Sequence, residues 1–237
     1  MYYKRTLSKS IMEANEFFKV VLLTGPRQVG KTTLLERIKE PTRAYVSLDD
    51  MDTLMMAQED PAHFFERFPP PVLIDEVQKA PNLFSYIKAI VDKSDKKGQF
   101  WLTGSHQFNM MKNVSESLAG RVAILDLQGL SQSEKAMDET RPAFLPDITL
   151  QTKRPVWSTQ EIFDVIVKGS FPQLFDGTPP SLFYSAYVRT YIERDVRGIL
   201  NISNEHAFLK FLKVMAGRTG QSLNYNNMSR DIEVSAE

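Results

Sequence analysis

The chain has no cysteine and only three histidines, His63, His106 and His206. The first absence excludes disulfides and thiolate metal centres and fits a reducing, cytoplasmic setting. The histidines stand far apart, without ligand spacing, and read as surface or half-buried residues. Charge of one sign is also missing. Twenty-nine basic residues balance twenty-nine acidic ones, so no global field draws the chain to nucleic acid or to an anionic membrane, although a local basic face remains open. No apolar run approaches the roughly 20 residues that a membrane span needs. The opening stretch "MYYKRTLSKS" lacks the apolar core of a signal peptide. Repeats and low-complexity segments are absent as well. What is present is ordinary for a soluble globular protein: 237 residues, 42% hydrophobic and 24% charged, enough for one large domain or a medium one plus a small one.

Residues 25–32 read "GPRQVGKT", directly after the branched apolar run "VVLLT". The spacing is that of a phosphate-binding loop, G-x-x-x-x-G-K-[ST], which sits between a strand and a helix. Gly25 and Gly30 allow backbone angles that turn consecutive N–H groups inward as an anion cradle. Lys31 is placed to reach the outer phosphates and the Thr32 hydroxyl to ligate magnesium. The following helix adds the positive end of its dipole.

Five short apolar segments read as strands, near residues 20–25, 43–48, 72–77, 99–105 and 122–128. Helical patterns alternate with them, at 30–39, at 53–68 with an interruption at Pro61, and at 81–93. Near-continuous apolar strands alternating with helices predict a parallel sheet covered on both faces. Residues 139–158 hold three prolines and no helical period and read as a linker. Beyond it the pattern is helical. The stretch 180–200 carries Phe183, Tyr187, Val188, Tyr191, Ile192, Val196 and Ile199 on one stripe, and two further helices are expected to 237. The expected domains are thus 1–138 and 159–237.

Three more places carry chemistry. "VLIDEV" ends a strand in Asp75 and Glu76, at the sheet edge where ligands bind in open parallel sheets. Strand alternation is expected to send the two carboxylates to opposite sides, with Asp75 serving magnesium through water and Glu76 polarising a water for attack on the terminal phosphate. "LTGS" ends the next strand at Ser105, a hydroxyl able to touch the γ-phosphate or the water. "SLAGRV" puts Arg121 just ahead of the fifth strand, where it is a candidate for the transition-state cation that accelerates phosphoryl transfer by about 10³–10⁵. Its position sets it away from its own nucleotide, so it is expected to serve a neighbouring subunit. Arg189, Glu193, Arg194, Asp195 and Arg197 read as a solvated helix face, one arginine of which is a candidate second sensor.

"VVLLTGPRQVGKTTLL", "VLIDEVQKAP", "FWLTGS" and "SLAGRVAILDLQGLS", in this order over residues 1 to about 135, resemble the predicted bacterial and archaeal ATPases of the AAA superfamily that carry a C-terminal domain of unknown function. "GSFPQLF…YVRTYIERDVRGIL" (169–200) is similar to the start of that second part. The resemblance implies a P-loop core of strand order 5-1-4-3-2, the additional-glutamate subgroup, and ATP with magnesium as ligands. It also implies that Gly25, Pro26, Arg27, Gln28, Val29, Gly30, Lys31, Thr32 and Thr33 bind phosphate, that Asp75 serves the metal and Glu76 the water, that Ser105 is a sensor and that Arg121 is a finger. The last helices are similar to the first two of a winged helix-turn-helix. The recognition helix is not there, so nucleic-acid binding is doubtful for this chain and a fragment or truncated relative is expected.

The expected activity is magnesium-dependent ATP hydrolysis coupled to movement of the helical domain. A nucleotide-gated switch or scaffold with little turnover is the alternative, followed by a small-molecule kinase and a DNA-associated regulator. Homo-oligomers are expected partners; no membrane is, and the protein partner is open.

Overall fold

The computed structural model describes residues 2–105, 114, 116–137, 157–192 and 205–233. Five strands, β1 (Val20–Thr24), β2 (Ala44–Ser47), β3 (Val72–Asp75), β4 (Phe100–Thr103) and β5 (Val122–Asp126), form one sheet in the order β2-β3-β4-β1-β5. All four pairings are parallel. Read from the other edge this is 5-1-4-3-2, the expected order.

Alternation along the strands builds two cores. Val20, Leu22, Val72, Ile74, Phe100 and Leu102 face one side, with Phe64, Phe84 and Ile87 from the helices. Val21, Leu23, Leu73 and Trp101 face the other, against Ile11 of α1 (Leu7–Phe17) and Leu34 and Leu35 of α2 (Lys31–Ile38). Burial on both faces explains why these strands read as continuous apolar runs. The helical stretch expected over 53–68, interrupted at Pro61, is two helices that divide there. α3 (Met51–Glu59) is capped by Asp50, and Asp60 then caps α4 (Pro61–Arg67), accepting from the His63 N–H with Pro61 in the first turn. Proline fits there because a first-turn N–H has no partner within the helix. α5 (Leu83–Asp92) follows β3.

The chain divides into two compact units at Phe183/Tyr184, whereas the sequence suggested a break at 139–158. The first unit keeps residues 157–183 because they are tied to the loop after β5. The Leu130 N–H donates to Ser170 O at 2.7 Å, and Lys135 Nζ of the short α6 (Gln132–Lys135) donates to Gly169 O at 2.8 Å. Gly129 passes so close to Ser170 that an added Cβ would lie 2.1 Å from its Oγ. α7 (Thr159–Lys168) starts with a capping box of Ser158 and Glu161, and Phe171 packs on the second core. The expected 180–200 stripe begins as α8 (Pro180–Tyr187) and loosens into a π turn, Val188–Ile192. Val196, Ile199 and the charged set from Glu193 to Arg197 lie outside the described residues, and so does the 139–156 part of the linker. In the second unit α9 (Glu205–Gly217) packs with α10 (Tyr225–Ile232), where Met228 and Ile232 are buried. No described helix is long and apolar enough to cross a membrane.

Candidate nucleotide site

Because the strands are parallel, their carboxyl ends share one edge, and the loops after β1, β3, β4 and β5 meet there. The loop from Gly25 to Gly30 turns directly into α2. Gly25 has φ +136°, and a Cβ on it would stand 2.2 Å from Leu127 O. No other residue fits that close approach. Gly30 caps α2 in the left-handed region, at φ +90°, with open space around it. Gly25 is thus required on steric and torsional grounds together, and Gly30 on torsional grounds alone.

Lys31 is buried, and its Nζ donates to Gly25 O at 3.0 Å and Pro26 O at 2.8 Å. Burial pulls its pKa below the usual lysine value, while the charges of Glu76, Asp75 and Asp126 work in the opposite direction. Phosphate oxygens are better acceptors for this ammonium than two neutral carbonyls. Thr32 Oγ1 donates to both Asp75 carboxylate oxygens at 3.0 Å. Asp75 is itself buried and also accepts from Thr103 Oγ1 and, at 3.3 Å, from the Tyr45 hydroxyl. Burial and the Asp75 charge push the Tyr45 phenol up to about 12. One carboxylate amid hydroxyls suits a hard cation that takes its remaining ligands from phosphate and water, and magnesium fits that donor set. No cluster of three or more His, Asp or Glu side chains able to hold a metal occurs among the described residues.

Glu76 corrects one expectation. β3 ends at Asp75, and Glu76 takes a left-handed conformation, φ 58° and ψ 40°, ahead of the 3-10 turn Val77–Lys79. Strand alternation therefore does not separate the two carboxylates. Both act on Lys31, Glu76 the more strongly. The Glu76 N–H points to Thr103 Oγ1 at 3.4 Å. Ser105, buried, joins this group through Gln78, whose Nε2 donates to its Oγ at 3.4 Å.

The structure thus brings together Gly25–Thr33, Asp75, Glu76 and Ser105. It does not bring Arg121. That residue precedes β5, and its carbonyl accepts from the Val20 N–H at the start of β1, so it lies at the amino edge of the sheet. Five residues of strand, about 15 Å, separate that edge from the loop. Its guanidinium pairs with Asp92 at the end of α5, Nη2 to Oδ2 at 3.0 Å with a second bond from Nε.

Sequence reasoning passed over Thr103, Tyr45, Gln78, Asp126 and Arg5. Thr103 is the last residue of β4, which the sequence reading ran on to Ser105, and a hydroxyl at that strand end could have been found. Arg5 carries no such signal. It is buried, donating to Val29 O of the phosphate loop at 2.8 Å and to Gln128 O at 2.5 Å, beside Glu134 at 3.3 Å. One side chain before β1 thereby fastens the loop to the segment after β5.

Residues 17–136 match the family described as "AAA domain", and residues 159–237 match "Domain of unknown function (DUF8612)". The chain is 29% identical over 182 residues to the uncharacterized proteins Rv2008c of Mycobacterium tuberculosis and Mb2031c of Mycobacterium bovis. The match covers 75% of the chain and 36% of each relative, so the chain spans about a third of their length. Among solved structures it is similar to AMPPCP-bound DnaA from Aquifex aeolicus, at 14% identity and TM-score 0.46, covering 95% of this chain and 80% of that one. It is also similar to a point variant of RuvB from Thermotoga maritima, at 15% identity and TM-score 0.45, covering 99% and 83%.

Proposed function

The chain belongs to the AAA domain family, and from that membership and the site geometry we propose that it binds ATP with magnesium and hydrolyses it to ADP and phosphate. The observation that carries the reading is the convergence of the Gly25–Gly30 loop, buried Lys31 and the Thr32–Asp75 contact at one sheet edge. Loop N–H groups and the start of α2 receive the phosphates, and Lys31 exchanges its two loop carbonyls for phosphate oxygens. Thr32 and Asp75 hold magnesium, which neutralises charge on the phosphates. Glu76 accepts a hydrogen bond from the attacking water and orients its oxygen toward the γ-phosphorus. The water oxygen bonds to that phosphorus, its proton passing by way of Glu76 to the released phosphate, while the bond to the bridging oxygen breaks and ADP leaves with that electron pair. Ser105 donates to a γ-phosphate oxygen. Nucleotide state reaches the helical region through Arg5, which joins the loop carbonyl of Val29 to the segment bonded to Gly169 and Ser170.

A second reading, a nucleotide-gated switch with little turnover, is favoured by the position of Arg121. Held by Asp92 at the far edge, Arg121 does not serve the nucleotide of its own chain, and another copy of the chain would have to present it there. Calorimetry with Mg-ATP tests the shared core of both readings. Lys31→Ala should lose binding by at least about a hundredfold, since a charge-assisted contact goes and three nearby carboxylates are left facing the phosphates. Equal affinity for wild type and variant would remove the nucleotide site.

A further inference from the structure

Gln78 stands in the turn Val77–Lys79, just past the acidic pair, and neither the phosphate cradle nor the metal site uses it. Its side chain reaches back into the site. Nε2 donates to Glu76 Oε2 and, at 3.4 Å, to Ser105 Oγ. Its two amide hydrogens are divided between the two side chains that hydrolysis would employ. The other end of the amide, Oε1, is buried and accepts nothing from the described residues. An orphaned buried acceptor lowers stability, so packing alone favours an apolar side chain of this size at position 78.

We propose that Gln78 is a positioning residue for hydrolysis, its amide fixing the Glu76 carboxylate and turning the Ser105 hydroxyl into a donor toward the terminal phosphate. The argument is one of hydrogen-bond polarity. A carboxylate oxygen that accepts from Nε2 is pinned, and its twin is left to accept from a water. A serine hydroxyl that accepts from Nε2 keeps its single hydrogen to give away, and phosphate oxygens only accept. One amide therefore sets both groups in the sense that attack on the γ-phosphate requires. Glu76 needs such a partner, because its left-handed backbone takes it out of the strand that would otherwise fix its direction.

The inference rests on Glu76 as the residue that activates water, and the test keeps the two apart. Gln78→Leu is close in size and removes both donors together with the orphaned acceptor. Its unliganded melting temperature should not fall, and its Kd for Mg-ATP should stay within about threefold of wild type. Its single-turnover hydrolysis rate should drop about tenfold or more. Added to Glu76→Gln, the same substitution should change the residual rate by less than about twofold, because it acts through that carboxylate. Gln78→Met, unbranched and without donors, carries the same expectations should the leucine variant not fold. Wild-type hydrolysis in Gln78→Leu would overturn the proposal. A rate loss matched by weaker ATP binding and a lower melting temperature would also overturn it and make Gln78 structural. Full hydrolysis by Glu76→Gln alone would instead bring down the reading of Glu76, and this inference with it.

Discussion

Gly25→Ala should damage both the fold and the site, by an amount that follows from two numbers. The new Cβ would lie 2.2 Å from Leu127 O, about 1 Å inside the closest tolerable contact for packed atoms. The loop must move away from the segment after β5 by roughly that distance. The backbone at φ +136° also penalises any side chain, by about 1–3 kcal/mol. The unit that contains it would melt roughly 2–12 °C lower, at about 2–4 °C per kcal/mol. A 1 Å displacement of a catalytic frame costs about a hundredfold in rate, so the larger effect is on hydrolysis. Gly30→Ala is the control, since nothing lies within 4 Å of its Cβ and only the torsion at φ +90° resists. Differential scanning fluorimetry and a phosphate-release assay on the two variants check the ranking. Wild-type melting and hydrolysis in Gly25→Ala would show that the loop does not abut Leu127 as described.

Arg121→Ala and Glu76→Gln, each inactive alone, should regain part of the activity on mixing if Arg121 serves a neighbouring copy. Wild-type specific activity should also rise with protein concentration; a flat rate across a hundredfold dilution without rescue would exclude service to a neighbour. Glu134→Gln should lose stability at neutral pH. Burial alone would raise the Glu134 pKa, but hydrogen bonds from the Ser131 and Thr6 N–H groups and the charge of Arg5 outweigh it and hold the pKa below the usual carboxylate range. A pKa depressed on folding contributes stability above the ordinary value near 4.3, and that contribution is lost as pH falls through the folded value. The gap between variant and wild type should therefore be widest at pH 6–8 and close below about pH 4 in urea titrations. A gap that does not vary with pH would refute the ionic part of this contact.

The sheet and the phosphate loop were legible because their signals are local. Burial on both faces writes apolar runs, and "GPRQVGKT" fixes loop, lysine and hydroxyl within eight residues. Asp75 was legible for the same reason, as a charged residue ending such a run. Glu76 was named, but its geometry was not, because alternation holds only while the strand lasts and β3 stops one residue earlier. Arg121 was legible as a residue placed before β5, and a parallel sheet already implies the far edge. Its pairing with Asp92 depends on where α5 ends, which no motif marks. The docking of 157–183 was hidden for a similar reason. It depends on Gly129 meeting Ser170 across forty-one positions of sequence, a close approach with no periodicity to reveal it. Arg5 and Gln78 are polar residues whose roles come from backbone carbonyls and side chains met only on folding.

Phosphate release by the Glu76→Gln protein, measured beside its affinity for Mg-ATP, tests the central claim most directly. The substitution keeps size and hydrogen-bonding reach but removes the charge that orients and polarises water. Binding within about threefold of wild type, with hydrolysis reduced at least about a hundredfold, is the predicted result. Unchanged phosphate release at undiminished affinity would contradict the account.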